Sequence, residues 1–585
     1  MISAAVGIPE AGLSAGIAFP FGYIQVARPI GCSPEHRWYL PTNVPRTTPY
    51  NAQVWTNANL VSSYGRTMMV ALPGLPEGSQ ELIGQWARVK GRTQLNGNFM
   101  QSPFTPEPPK NSRGYLQNLV TTDGFDQVQA YYAFTSLMIY MGTLGYDMAK
   151  IAPNVFPILI NVNAVDDVNA WYNPSAVDLT FGTGRRSSVG EWHLASDHDI
   201  VGHEGGHLAF DRIIPALSQW YSGDGGAIHE GFADSIVALM RNDPELSEDF
   251  PPNIGRNYGP TLGLRTVAHS LKYADVSSEV HDRGQIYGGF WWSTKLAMED
   301  LLRDTRAAMD LGAALLLEHG FHYATNKPGP ADFVDAVLAG AKVLVEGNSK
   351  YGLDYAKLAE IIKTAAMNRD LFGKDKKPTG KRTKFGVEFA RIIADHSDTF
   401  LFIPQPTAYG PHLSRTHMLQ YAFAEGGKVA RVLGSGLIVF KDANGDSRAY
   451  SSSDARLNIK INPTVKVEPR QALEKARETA RAILDNHDRV LAQIEERPSL
   501  SEYDELEKGA QRDIQVIERE VFVDALRVAE SITSASDITE LVVLPKGVGP
   551  KQSAEDLYWR FAFGHVRFYV NADTGVVVTQ QIKQF

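Results

Sequence analysis

The chain has 585 residues, of which 43% are hydrophobic and 10% aromatic, enough to bury several cores and too apolar for a globally disordered protein. Its 57 Lys and Arg against 66 Asp and Glu leave a net charge of −9, which offers no electrostatic basis for holding nucleic acid or an anionic membrane surface. A single cysteine, Cys32, excludes an internal disulfide and any zinc site built from several thiolates, so a metal here has to be held by His and carboxylates.

The N-terminal stretch has small and apolar residues but is interrupted at Pro9-Glu10, and its first basic residue is Arg28. It therefore reads as a poor signal peptide. No run of 18 apolar residues occurs, so no membrane-spanning helix is expected. Residues 1–110 mix short β-type runs with Gly and Pro turns and end in the proline-rich QSPFTPEPPKNSRG, an extended spacer that places a boundary near 110. FDQVQAYYAFTSLMIYMGTLGY (125–146) reads as a long apolar helix and VFPILINV (155–162) as a strand. Helical patterns dominate from about 197 to the end of a unit spanning 111–373. The lysine-rich GKDKKPTGKRTK that follows opens a basic linker, 374–399, expected to be an exposed spacer. A β/α region, 400–585, closes the chain, with a hairpin turned at Asn444-Gly445, two amphipathic helices on either side of Pro498, and terminal strands turned at 571–575.

The chemical signal lies in DIVGHEGGHLAF (199–210). His203 and His207 are four residues apart, so on a helix both imidazoles face one ion, while Glu204 is one step round and reaches a water on that ion. Gly205 and Gly206 count against a stable helix, costing about 0.8–1 kcal/mol each relative to Ala, and close helix packing would explain them. A catalytic zinc needs a third protein ligand. The metzincin pattern would need Gly at 210 and His at 213, where this chain has Phe210 and Ile213. Glu230, in GAIHEGFADSIVAL (226–239), is the candidate, with Asp234 one turn on to hold a ligand imidazole in its metal-binding tautomer.

DIVGHEGGH followed by GAIHEGFAD resembles the thermolysin-like zinc metallopeptidases and their fungalysin relatives, and the likeness extends over five segments within about 125 residues. The resemblance implies an α+β, two-lobed fold with a β-containing N-terminal lobe and a helical C-terminal lobe, one catalytic zinc ion, and peptide or protein substrates. NAWYNPSAVDLTFGTG (169–184) is similar to the edge-strand segment, implying that Asn169 and the backbone of Ala170 hold the substrate main chain. Tyr221, nine residues before Glu230, would support the tetrahedral intermediate. Arg265, in GLRTVAHSLKYAD, would bind the substrate carbonyl on the primed side, and His281, in EVHDRGQIYGGFWWS, would donate to the oxyanion. Ile200 and Leu264 match apolar positions of the primed-side pocket, which implies a preference for a bulky apolar residue after the cut.

Departures from the family pattern carry expectations of their own. His229 stands where the family usually has Asn, and adjacent helical residues diverge by about 100°, so it is not expected to ligate beside Glu230. Asp275 and Glu279 are both open as the orienting partner of His281. Asp199 matches one position of thermolysin's calcium cluster, but the later acidic stretch is replaced by NIGRNY (253–258) with Arg256, so no double-calcium site is expected. Zinc aminopeptidases would place the ligand Glu on Gly226. The last third resembles the propeptide of thermolysin-type enzymes with its PepSY-like end, and implies a module folded against the cleft as an intramolecular inhibitor or folding aid. The family is mostly exported, which makes an extracellular protein the expectation although the N-terminus lacks a convincing signal. The competing reading is a zinc-containing binding protein that kept the ligands and lost turnover.

Overall fold

The structure, a computed structural model, describes residues 49–55, 67–76, 81–95, 98–101, 123–165, 168–186, 190–215, 223–247, 263–346, 351–373, 376–461, 463–496, 540–544, 556–563 and 566–581, with scattered positions between 508 and 532. Helices and strands are both abundant and largely segregated, which makes the fold α+β. β1 (Pro49–Trp55) and β2 (Thr67–Pro76) form an antiparallel pair, and β4 (Arg92–Leu95) and β5 (Asn98–Gln101) a second. Between them β3 (Ala87–Lys90) leaves for a four-stranded sheet with β6 (Ile158–Asn161), β7 (Ala170–Asn173) and β8 (Asp178–Phe181), in the order β3-β6-β8-β7. β3, β6 and β8 run parallel and β7 is antiparallel to β8, so β7 is an edge strand. β9 (Thr183–Arg186) and β10 (Gly190–His193) make a short hairpin.

The pairing of β3 with β6 corrects the boundary near 110. Leu82, Trp86, Ala87 and Val89 belong to the same buried cluster as the sheet and helices that follow. Parallel partners about 70 residues apart leave no compositional mark on either strand, so a proline-rich stretch between them reads as a border when the core in fact spans it.

α1 (Asp123–Thr143) is apolar all round and accordingly enclosed on all sides, with Phe125, Tyr131, Phe134 and Tyr140 fully buried. Oδ2 of its buried Asp126 accepts from Asn163 Nδ2 at 2.8 Å and lies 2.6 Å from His193 Nδ1. After the short α2 (Met148–Ile151) and the strands, the helical part consists of α3 (His198–Ile213), α4 (Gly223–Arg241), α5 (Val280–Leu302), α6 (Thr305–Gly320), α7 (Pro330–Val345) and α8 (Tyr355–Asn368), interrupted only by the two-residue strands β11 (Glu245–Leu246) and β12 (Arg265–Thr266) among the described residues. The aromatic clusters at 130–134 and 290–292 are core, with Tyr131, Tyr132 and Trp291 almost fully buried.

Residues 376–399 are mostly exposed, as expected for the basic linker, but part of the segment is tied to the rest of the chain. The backbone N–H groups of Thr379 and Gly380 donate to Asp332 at 2.8 and 2.7 Å, and Arg382 lies over the Phe440 ring at 4.2 Å while donating to the His322 carbonyl. β13 (Thr383–Lys384) then pairs with a later strand, and α9 (Val387–Asp395) follows. Charge density alone reads as a solvated loop, but Thr379, Gly380 and Arg382 have partners in distant segments.

The last region builds one ten-stranded sheet from β13, β14 (Phe400–Pro404), β15 (Ala408–Tyr409), β16 (Leu413–Phe423), β17 (Val429–Asp442), β18 (Ser447–Ser451), β19 (Glu540–Leu544), β20 (Asp556–Phe563), β21 (Val566–Asn571) and β22 (Val577–Gln581). The β17–β18 hairpin turns at Asn444-Gly445 as expected, with Gly445 at φ +85°. The terminal segment is three strands rather than a pair, with the expected turn between β21 and β22. α10 (Pro469–Glu496) lays Ala472, Leu473, Ala476 and Ala480 on the sheet. Residues 525–531 are helical too and lie beside α10, where Arg477 donates to the Ala529 carbonyl and Arg481 pairs with Glu530.

This module is joined to the helices at the loop between α6 and α7. Asp454 accepts from Thr325 Oγ1 at 2.7 Å and Asn326 N at 2.6 Å, Asn326 Nδ2 meets His417 Nε2 at 3.0 Å, and Ser451 Oγ donates to the Ala324 carbonyl. These groups are held away from water and mutually satisfied, so the bond lines resemble a core more than a transient contact. The residues they reach on the helical side are not those of the HExxH region, where an inhibitory module was expected to lie.

Candidate metal centre

Three helices build the site, and glycines set how closely they cross. α3 begins at Asp197, whose side chain accepts from the N–H groups of Asp199 and Ile200. It then runs between α1 and α4: a Cβ added at Gly205 would meet Leu137 Cδ2 at 2.9 Å, and one at Gly206 would meet Ala233 Cα at 2.8 Å. The two glycines that weaken the helix by propensity are therefore what lets its neighbours approach. α4 crosses α5 in the same way, with Gly284 against Glu230 Cβ and Gly231 against Tyr287 Cβ, each at 2.5 Å from an added Cβ.

The result is a convergence of His203 and His207 from α3 with Glu230 from α4, whose ligand atoms all lie within 4.8 Å of one another. His203 Nε2 is 3.3 Å from Glu230 Oε2, and His207 Nε2 is 3.5 Å from Glu230 Oε1. Glu230 is 1% exposed, yet neither of its oxygens has a hydrogen-bond partner. A buried carboxylate without hydrogen bonds, close to the Nε2 atoms of His203 and His207, makes a group that could hold a metal ion. Burial works against its charge, but the imidazoles of His281 and His207, with His203, hold the Glu230 carboxyl well below the usual carboxylate range. Burial likewise opposes a proton on His203, and Asp234 followed by Glu230 outweighs it and raises that group to about 10.

Asp234 sits where the helical spacing put it, its Oδ1 at 2.7 Å from His203 Nδ1. Arg265, at the start of β12, holds that same carboxylate through NH2 to Oδ1 and Nε to Oδ2, both at 2.8 Å, and its side chain stays 15% exposed. His207 is backed instead by His229, Nδ1 to Nδ1 at 2.6 Å. Burial and the neighbouring His207 and His203 keep His229 well below the ordinary histidine range, so it is neutral. Glu204, one residue after His203 on α3, is 6% exposed.

His281 enters at the first turn of α5, with Nε2 at 3.2 Å from Glu230 Oε1. Its orienting partner is Glu279, whose Oε1 is 2.9 Å from His281 Nδ1. Glu279 also caps α5 by accepting from the N–H groups of His281 and Asp282, whereas Asp275 accepts from Lys272 N in a local turn. Sequence reasoning left these two open, and the contact with His281 separates them.

Asn169 and Ala170 lie at the start of edge strand β7, and Tyr172 of that strand donates to Asp211 on α3 at 2.7 Å, which fixes the strand alongside the site helix. Ile200 and Leu264 are partly buried against the main core. Tyr221 and the NIGRNY segment lie outside the described residues.

Asp199 does not back a ligand imidazole in the way Asp234 does; it pairs with buried Arg241 and accepts from Ser247 N at 3.0 Å. Beside it, burial first and then the Asp199 carboxylate push Asp197 up to about 7 from an ordinary value of 3.8. A carboxyl whose folded pKa is raised favours folding in its protonated form, so its contribution is greatest below about pH 4 and is lost as pH rises to about 7. Asn keeps the helix cap and cannot ionise. Asp197→Asn is therefore expected to be more stable than wild type at pH 8 and equal to it near pH 4, with a ceiling of about 4 kcal/mol set by the interval between the two values. Urea midpoints at the two pH values measure this, and a variant weaker than wild type at pH 8 would refute it.

The chain matches no known family model, and no curated protein matches it. Among the described residues no helix is long and apolar enough to cross a membrane.

Proposed function

We propose that the protein is a zinc-dependent metalloendopeptidase with a two-lobed, thermolysin-like catalytic region. The observation that carries this reading is the convergence of His203, His207 and Glu230 on one point, with Glu204 one residue after His203 on the same helix and His281 Nε2 at 3.2 Å from Glu230. A zinc ion held by those three residues would supply a water of lowered pKa and polarise a carbonyl.

The rest of the chemistry belongs to side chains. Glu204 takes the proton of the attacking water and returns it to the leaving amine. His281, oriented by Glu279, donates toward the developing oxyanion, the electrostatic stabilisation that makes the largest single contribution in many hydrolases. Arg265, anchored on Asp234, donates to a substrate carbonyl, and β7, last in its sheet among the described strands, pairs with an extended peptide through the backbone of Ala170 beside Asn169. Ile200 and Leu264 favour a bulky apolar residue after the cut.

The test is hydrolysis of a mixed quenched-peptide pool by the full chain. Zinc-loaded protein is expected to hold one equivalent at this site and to cleave before apolar residues; removal of the metal with a chelator abolishes cleavage and zinc restores it. Folded, zinc-loaded protein that cleaves nothing would overturn the reading and favour a zinc-containing binding protein.

A further inference from the structure

The last sheet has two faces of different character. One sends Val432, Leu541, Trp559, Phe561 and Phe568 into the cluster that holds α10. Strand alternation sends the residues between them to the other face, and there the register gathers charge. Glu540 stands directly across from Arg560, Arg560 directly across from Tyr569, and Arg431 comes from β17 on the far side of β19. One carboxylate therefore serves two guanidinium groups, Glu540 lying 2.9 Å from Arg560 Nη1 and 3.6 Å from Arg431 Nη1. Arg567, two residues before Tyr569 on β21 and so on the same face, adds a third that is 7% exposed. Burial first, then the Arg560 charge and more weakly that of Arg431, push the Arg567 guanidinium down to about 10. Among the described residues of β19, β20 and β21 the other acid on this face is Asp556, four residues from Arg560 along its strand and so about 13 Å away. Two further observations point to a ligand. Arg560 Nε is buried with no hydrogen-bond partner, a donor whose desolvation nothing offsets. Ala562, directly across from Arg567, is small and exposed, so the sheet is low and open to water beside that guanidinium.

We propose that Arg560 and Arg567, with Arg431 on the other side of Glu540, bind a small doubly charged oxyanion of the phosphate class, either the free ion or the head of a small phosphate ester. Guanidinium groups present planar pairs of N–H donors that match the oxygens of such an anion two at a time. A dianion fits better than a single carboxylate because the charges gathered here are three guanidinium groups about one carboxylate. Bringing like charges together in a largely buried place is costly, and an anion seated among them offsets that cost. The site gives the last module a ligand of its own within a chain of net charge −9. It shares no residue with the metal centre, so it stands whether or not that centre binds zinc.

Binding of inorganic phosphate to the full chain is measured by titration calorimetry in excess chelator, which keeps a cation at the metal centre from taking the anion. Sodium acetate at matched ionic strength is the comparison, and wild type, Arg560→Gln and Arg567→Gln are each melted with and without phosphate. Wild type is expected to bind one equivalent saturably and to melt higher in phosphate, with acetate doing neither. Each arginine variant should lose about tenfold or more in affinity, the effect of removing one charged donor. Phenyl phosphate that displaces phosphate assigns the ester as ligand, and phenyl phosphate that does not assigns the free ion. No saturable binding by folded wild type overturns the site, as does acetate binding equal to phosphate or phosphate affinity unchanged in both arginine variants. Should a variant fail to fold, the other variant and the wild-type comparison of phosphate with acetate decide.

Discussion

Glu204→Gln should lose peptide hydrolysis by about 10²–10⁴-fold, the span a positioned general base contributes, while binding zinc with unchanged stoichiometry. The two ligand histidines and Glu230 are untouched by the substitution, and Gln has the shape of Glu without the capacity to take a proton. The loss should fall on kcat and kcat/KM together, because the interaction removed is made in the transition state rather than in substrate binding. Zinc content and kinetics measured on the same preparation check this. A variant that keeps near wild-type kcat with zinc bound would remove Glu204 from the mechanism and require another base.

The second large effect concerns residues with no side chain at all. Gly206→Ala and Gly284→Ala would each gain about 0.8–1 kcal/mol of helix propensity if nothing stood in the way. Both are expected to be destabilising by about 1–3 kcal/mol instead, the range for overfilled cores. At Gly206 the new methyl would meet Ala233 Cα at 2.8 Å, and at Gly284 it would meet Glu230 Cβ at 2.5 Å, so the obstacle is main chain or the root of a side chain that cannot rotate aside. Relief by moving helices apart separates Glu230 from the histidines of α3. Metal sites tolerate distance errors of only a few tenths of an ångström, so zinc affinity should fall by about tenfold or more as well. Gly142→Ala in α1 is the control: nothing lies within 4 Å of its added Cβ, and it should be neutral or mildly stabilising. Urea denaturation and zinc titration of the three variants measure both effects. Gly284→Ala with full stability and full affinity would show that the crossing has slack.

The capping and packing observations explain which parts of the site were legible beforehand. His203 and His207 were readable because four residues on a helix place two rings on one face, and Asp234 was readable relative to Glu230 for the same reason. The residues that join one helix to another were not. Glu279 was separated from Asp275 only when the start of α5 came to lie over Glu230, and His229 met His207 only when α4 packed the two rings together. Gly205, Gly206, Gly231 and Gly284 were visible as glycines in helices, and their spacing said nothing about which neighbour each admitted.

The same division holds for the fold. The long buried α1, the strand at 158–161, the succession of helices after 197 and the hairpin at Asn444-Gly445 follow from apolar periodicity and turn chemistry, which act between residues a few positions apart and so are written in the sequence by itself. The insertion of 87–90 beside 158–161, the capture of 379–384 by Asp332 and Phe440, and the seating of the last sheet on the loop between α6 and α7 were decided by the tertiary structure. Each pairs segments far apart in the chain, and the free energy of such a pairing depends on what else is already packed there, a quantity that no local window of sequence contains.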